Sequence, residues 1–327
     1  MKIVGLEEHF VIPELIEAWS AVEPEWQDLA SPAPGEVTRR LLDLDAEREA
    51  AMDDTGLDVQ VVSVTTPGVQ NLAPADSVAL QIECNDRLAA AVAARPDRLQ
   101  GFATLAFPEP AAAAAELGRA VTDLGFHGAL VAGRTRDRAF DHPDNWAIFE
   151  AAEALNAPLY LHPQSPPAQV RRAYYEGFDS QVDAAFSTFG LGWHYDTGVQ
   201  LLRLILGGVF DRFPGLQIIV GHWGELVAFY LDRIDVLTSA AHLDRPVSEY
   251  LRANVYVTPS GIFSQRYLQW ALDVIGVDRI MFATDYPYIP VPDGASRRFL
   301  ESSGLDEADR RKIASGNWEQ VCSAIRR

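Results

Sequence analysis

The sequence predicts an α/β chain of 327 residues folded as one distorted (β/α)8 TIM barrel over residues 1–327. Three observations predict it. Short runs rich in β-branched residues alternate eight times with longer stretches of helical periodicity. Several short runs, such as Val59-Gln-Val-Val-Ser-Val and Ile218-Ile-Val, are almost wholly apolar, as parallel strands covered on both faces must be. No linker, charge run or internal repeat divides the chain, and a barrel of about 250 residues with decorations fits its length.

The strands are expected at 2–7, 58–64, 99–105, 128–132, 158–162, 217–221, 254–258 and 279–284. The first helix, 36–55, carries Leu41, Leu44, Arg48 and Met52 at steps of three and four. Those at 77–94 and 110–124 are rich in Ala, the best helix former. Further helices are expected at 145–155, 198–212, 225–242, 264–275 and 306–325. Gly125, Gly215 and Gly276 stand where helices should stop. Two insertions interrupt the alternation. Residues 23–35 follow strand 1, and 164–195, with Tyr174, Tyr175, Phe178, Phe186, Phe189, Trp193 and Tyr195, follow strand 5. Loops after barrel strands build the active-site face, so the aromatic loop either covers a pocket or packs on a neighbouring subunit.

Hydrophobic residues at 48% and charged residues at 22% make an ordinary globular composition. Lys+Arg 27 against Asp+Glu 46 leaves a net charge of −19, which argues against nucleic acid and anionic membrane surfaces as partners. An anionic substrate would need a locally positive site such as a metal ion. No stretch approaches the ~20 apolar residues of a membrane span. Residues 201–210 are apolar but short, and Arg203 interrupts them. Glu7 and Glu8 stand where a signal peptide needs its apolar centre, so a cytoplasmic location is expected, with Cys84 and Cys322 as reduced thiols.

The chemistry gathers at strand ends. Strand 1 ends Leu6-Glu-Glu-His, strand 5 Tyr160-Leu-His-Pro, strand 6 Gly221-His-Trp-Gly-Glu, and strand 8 Thr284-Asp-Tyr-Pro. Glu7 and His9 lie two apart on extended chain and share a face, whereas Glu8 faces away, outward or supporting its neighbours. His162, His222 and Asp285 reach the same mouth from other strands. One histidine at a strand end is more often a hydrogen-bonded structural residue; four such groups at C-terminal ends make a metal site. Oxygen and nitrogen donors without thiolates suit Zn2+ or Mn2+. His127 lies at the wrong end of strand 4. His142 and His242 sit in polar segments, and His194 in the aromatic loop either lines the pocket or is structural.

On these motifs, together with Arg95-Pro-Asp-Arg-Leu and Leu231-Asp-Arg-Ile-Asp, the chain resembles the metal-dependent amidohydrolase superfamily. Within it, the resemblance is to the non-oxidative aromatic decarboxylases of the γ-resorcylate (2,6-dihydroxybenzoate) type. The Glu-x-His opening carries weight, because hydrolytic members more often open His-x-His. The resemblance implies one divalent metal ion held by Glu7, His9, His162 and Asp285, with His222, oriented by Glu225, acting beside it. No lysine ends strand 4, so the bridging residue of binuclear members is missing. Tyr286 stands where Trp is usual and Trp223 where Met is common, which leaves the substrate's ring substituents open. A homodimer or homotetramer is also expected.

The expected reaction is loss of CO2 from a small aromatic carboxylate, a hydroxybenzoate of the salicylate or resorcylate kind, after protonation of the ring carbon. Asp285 is the expected proton donor, with His222 and Glu225 hydrogen-bonding the substrate. Phe10 and Tyr286 would supply ring faces. Arg233 would pair with Glu225, reach a neighbouring site or form a surface ion pair. Two alternatives stand beside this reading: a metal-dependent hydrolase of a lactone or amide on the same residues, and a non-catalytic ligand-binding barrel.

Overall fold

The computed structural model describes residues 1–31 and 33–327. Seven parallel strands are arranged in two sheets. Strands β1 (Val4–Phe10), β2 (Val59–Val64) and β3 (Leu99–Gly101) form one. Strands β4 (Ala129–Ala132), β5 (Leu159–His162), β6 (Ile218–Val220) and β7 (Val255–Val257) form the other. Single bridges close the ring. Ala103 pairs with Ala129 between the sheets, and Val257 pairs with Ile280. The eighth stave, 280–286, joins both neighbours without a continuous ladder: the Met281 N–H donates to Val257 O at 2.9 Å and the Leu6 N–H to Phe282 O at 2.9 Å. The barrel is therefore present and distorted, as expected.

Side chains fill its interior. Val4, Leu6, Val61, Phe102, Ile219 and Met281 pack at the floor with Trp318 and Val321 from the C-terminal helix Asn317–Ala324. The Trp318 indole donates to Gln100 Oε1 at 2.8 Å, satisfying its one polar atom. A second, larger core lies between the strands and the surrounding helices.

A bulge in β1 decides which acid faces inward. Gly5 pairs with Gln60 and Glu8 with Val62, so three steps on β1 match two on β2. Without that extra residue, strict alternation from Leu6 would turn Glu8 to the interior and Glu7 out. With it, Glu7 and His9 face the mouth. Glu8 does face away from them, but it is fully buried beneath the helices rather than at the surface. Its carboxyl accepts from the Thr284 N–H at 2.9 Å and the Thr284 hydroxyl at 2.6 Å, and burial pushes its pKa up to about 8.

Several helices differ from expectation for local reasons. The stretch 36–55 is two helices, Glu36–Leu42 and Ala46–Thr55, because the Asp43 side chain accepts from the Asp45 and Arg48 N–H groups and starts a new helix. The helix expected at 198–212 begins earlier, running Gly192–Leu206, and stops at the Gly207-Gly208 pair. The long helix expected at 225–242 is a turn followed by short pieces, among them Leu231–Ile234 and Leu237–Ala240. Residues His222, Trp223, Gly224, Glu225 and Leu226 all have positive φ, which no helix accommodates. The aromatic insertion contains the helices Ala168–Tyr174 and Ser180–Ser187, and Tyr174, Phe178, Phe189 and Tyr195 leave their rings exposed. Among the described residues, no helix is long and apolar enough to cross a membrane.

Candidate metal centre

Glu7 and His9 from β1, His162 from the end of β5 and Asp285 from the eighth stave come together at the C-terminal mouth. One donor atom from each lies within 4.8 Å of the others. His162 Nε2 is 3.2 Å from Glu7 Oε1, and His9 Nε2 is 3.4 Å from Asp285 Oδ1. Ligands held about 2.1 Å from one shared ion sit about 3–3.5 Å apart, so both separations fit a common cation.

The hydrogen bonding supports that fit. Glu7 Oε2 accepts from Tyr160 at 2.5 Å and from Ser260, yet Glu7 Oε1 has no hydrogen-bond partner, and neither has His9 Nε2. Buried polar atoms without partners are rare, and two in one four-residue cluster mark a place for a cation. The His162 Nδ1–H donates to Pro163 O at 2.8 Å, which leaves Nε2 with its lone pair toward the centre. His9 and Glu7 are fully buried, whereas Asp285 and His222 keep small exposed edges.

Electrostatics point the same way. Burial opposes ionisation of Glu7, but His222, His162 and His9 hold its carboxyl well below the usual carboxylate range. Burial pushes the His9 pKa down, favouring the neutral imidazole a metal needs. Burial also disfavours a charged His222, yet Glu225 and Glu7 outweigh it and raise its pKa to about 10. A cation between Glu7 and Asp285 would offset part of that pull.

His222 lies beside the cluster and outside it. Its Nε2 is 4.0 Å from Asp285 Oδ2, and its Nδ1–H donates to Glu225 Oε1 at 2.7 Å. The left-handed run at 222–226 aims both side chains; such strain persists where the surroundings fix it. An open cavity of about 280 Å3 borders His194 and His222 and is walled by Trp223, Phe229, Tyr267 and Trp270.

Two expected substrate contacts fall elsewhere. Phe10 is buried in the outer core, because it follows His9 by one residue and faces the opposite side of β1. Tyr286 lies under the Arg48 guanidinium, 4.8 Å from its carbon, on the side of the helix Ala46–Thr55. Arg233 is exposed on the helix Leu231–Ile234 and, among the described residues, makes no ion pair; both oxygens of Glu225 are taken by histidines.

Tyr160, Ser260, Thr258 and Tyr288 also contribute and were not singled out from the sequence, and His194, left open there, joins them. Tyr160 sits two residues before His162 and so shares its inward face, a spacing that could have revealed it. Ser260 and Thr258 follow β7, and Thr258 Oγ1 is 2.7 Å from the Tyr160 hydroxyl. Tyr288, not Tyr286, presents its ring to His9, with centroids 5.8 Å apart. His194 reaches Glu225 Oε2 at 2.7 Å.

The amidohydrolase family matches residues 16–320. The chain is 35% identical to gamma-resorcylate decarboxylase of Polaromonas sp. over 97% of each chain. A crystal structure of 5-carboxyvanillate decarboxylase from Sphingomonas paucimobilis superposes with a TM-score of 0.90, at 31% identity and 99% coverage of both chains. A dihydroxybenzoic acid decarboxylase from Polaromonas sp. JS666, solved with manganese and the inhibitor 2-nitroresorcinol, gives 0.85, at 34% identity, with 98% of this chain and 97% of that one covered. With a match over most of its length and relatives of this similarity, the chain belongs to the amidohydrolase family.

Proposed function

We propose that this protein is a metal-dependent carboxy-lyase that removes CO2 from a hydroxybenzoate. One observation carries the reading. Four oxygen and nitrogen donors converge with two unpartnered buried atoms, directly beside a histidine–glutamate pair. The relatives named as decarboxylases supply the reaction class, and the manganese in one of them favours Mn2+ over Zn2+. Hydrolysis and simple ligand binding have no comparable support.

Glu7, His9, His162 and Asp285 would hold the ion. When bound, it supplies a positive centre that attracts the substrate's carboxylate and phenolate oxygens to an otherwise acidic protein. The chain's own residues do the rest. Direct loss of CO2 would leave an aryl carbanion. Delivery of a proton to the ring carbon bearing the carboxylate avoids it, and the electrons of the breaking carbon–carbon bond then restore the aromatic ring as CO2 leaves. Asp285 Oδ1 would face the ion, while Oδ2, 4.0 Å from His222 Nε2 and partly open to the mouth, takes a proton from solvent and passes it to the ring carbon. His222, held by Glu225, hydrogen-bonds the substrate's oxygen and keeps the ring aligned. The aromatic walls beside His222, rather than Phe10, offer faces for the ring.

The reading also includes a homodimer or homotetramer, supported by the exposed rings of Tyr174, Phe178, Phe189 and Tyr195 in the aromatic insertion. It includes a cytoplasmic location, with which the two free cysteines agree. The test is incubation of the Mn2+-loaded protein with 2,6-dihydroxybenzoate and related hydroxybenzoates in D2O. CO2 release with one deuterium at the carbon that lost the carboxylate is expected. Product without ring deuterium, or no CO2 from any hydroxybenzoate, would refute it.

A further inference from the structure

Glu225 is held by two imidazoles. His222 Nδ1 lies 2.7 Å from Oε1 and His194 Nδ1 lies 2.7 Å from Oε2, and the two rings tilt against each other with centroids 4.6 Å apart. Glu225 is fully buried, and its ionised form is favoured by the two histidines against the cost of burial. An ionised carboxylate only accepts hydrogen bonds, so both Nδ1 atoms carry protons. His194 Nε2 lies 3.2 Å from the Phe189 carbonyl, which also only accepts. His194 is thus tethered at both ends of its ring, to the Glu225 carboxylate and to the Phe189 carbonyl.

A second observation links the same residue to the same turn. His194 and Gly198 are four apart in the helix Gly192–Leu206 and share one face. A Cβ at Gly198 would stand 2.6 Å from the Glu225 carbonyl oxygen. One face of this helix thus grips Glu225 twice, the side chain through His194 and the backbone by close approach at Gly198. Both contacts bear on five consecutive left-handed residues that local preference alone would not hold.

The geometry points to His194 as a positioning residue of the reaction: by engaging Oε2 of Glu225, it fixes the carboxylate that keeps His222 with Nδ1–H on Oε1 and Nε2 toward Asp285. The inference rests on the reading of His222 as the group that aligns substrate. His194 needs no contact with substrate or metal. It removes the freedom of Glu225 to rotate and release His222, as an outer hydrogen-bond partner does for a metal-bound histidine.

Two variants test it. His194→Phe removes both ring nitrogens, and His194→Gln keeps one amide donor for Glu225. Steady-state kinetics of the Mn2+-loaded enzymes on 2,6-dihydroxybenzoate are paired with metal analysis. Nitrogen-15 NMR of histidine-labelled protein, loaded with diamagnetic Zn2+, reads the protonation of each ring nitrogen. In the wild type, His194 and His222 should each show a protonated Nδ1 bonded to Glu225. His194→Phe should lower kcat about 10- to 100-fold with metal content unchanged and KM altered less than about threefold, and the His222 Nδ1–H signal should shift as its bond to Glu225 loosens. His194→Gln should recover most of kcat. If an active wild type and His194→Phe share kcat within twofold, or if the His222 signals do not change, the role of His194 is refuted. If His194→Phe does not fold, His194→Gln decides: kcat below a tenth of wild type with the His222 pattern intact refutes it. A wild type that releases no CO2 overturns the proposed function instead, and the NMR comparison still judges the hydrogen-bond arrangement.

Discussion

Tyr160→Phe isolates the support given to Glu7. The Tyr160 hydroxyl donates to Glu7 Oε2 at 2.5 Å inside a fully buried cluster. A hydrogen bond to a charged buried group contributes about 1.5–3 kcal/mol. At about 1.4 kcal/mol per tenfold change, its loss corresponds to roughly 10- to 100-fold in metal affinity, the range found for outer partners of metal ligands. Ser260 still donates to the same oxygen, which places the expectation near the lower end, about tenfold. Phe keeps the ring in its layer beside Phe102, 6.1 Å away, and Thr258 retains Ser260 at 3.0 Å, so the fold should persist. The assay is Mn2+ titration of the stripped protein against a fluorescent chelator, followed by kcat at saturating Mn2+. The Kd should rise about tenfold, while kcat at saturation stays within about threefold. A folded variant with unchanged Kd would show that Glu7 does not hold the ion.

Further expectations follow from the same geometry. His162→Ala should lose the metal, whereas His222→Ala should keep it and lose about 10^2- to 10^4-fold in kcat, as metal analysis beside kinetics will tell. Gly198→Ala forces a Cβ to 2.6 Å from the Glu225 carbonyl oxygen and should cost about 1–3 kcal/mol, read by denaturant unfolding. Asp196 is largely shielded from solvent near Arg134, and this desolvation, which the guanidinium only partly offsets, raises its pKa to about 6 from 3.8. The folded state therefore holds its proton more tightly, and its contribution to stability falls as pH rises from about 4 to 6. Asp196→Asn should make stability climb more steeply with pH in that window, by up to about 1.4 kcal/mol per pH unit. Any constant penalty for leaving Arg134 less well paired shifts the curve without changing its slope.

Much of this was legible in the chain. Every stave was found, because buried parallel strands write long apolar runs. Their ends were less so: β1 extends to Phe10, beyond the expected residue 7, because residues that read as a polar exit are inside the barrel. The metal cluster was visible because Glu7-x-His9 and the strand-end His162 and Asp285 combine a period of two with a known topology. The groups that support it were harder to see. The bulge that turns Glu7 inward leaves no composition signal, and the left-handed run at 222–226 is written with only one glycine. Phe10 and Tyr286 are aromatic residues next to metal-cluster residues, and alternation in extended chain sends adjacent side chains to opposite faces, which takes their rings away from the mouth.

The closing seam of the barrel has a consequence for biosynthesis. Asp285 donates its backbone N–H to Glu7 O at 3.0 Å, so the first and last staves meet where the cation would sit. Ribosomes deliver those two segments far apart in time. A nascent polypeptide stalled before residue 285 can offer at most Glu7, His9 and His162 and has no wall opposite them. Capture of the ion then becomes a late event in maturation, and it rewards only a molecule whose circumference is complete.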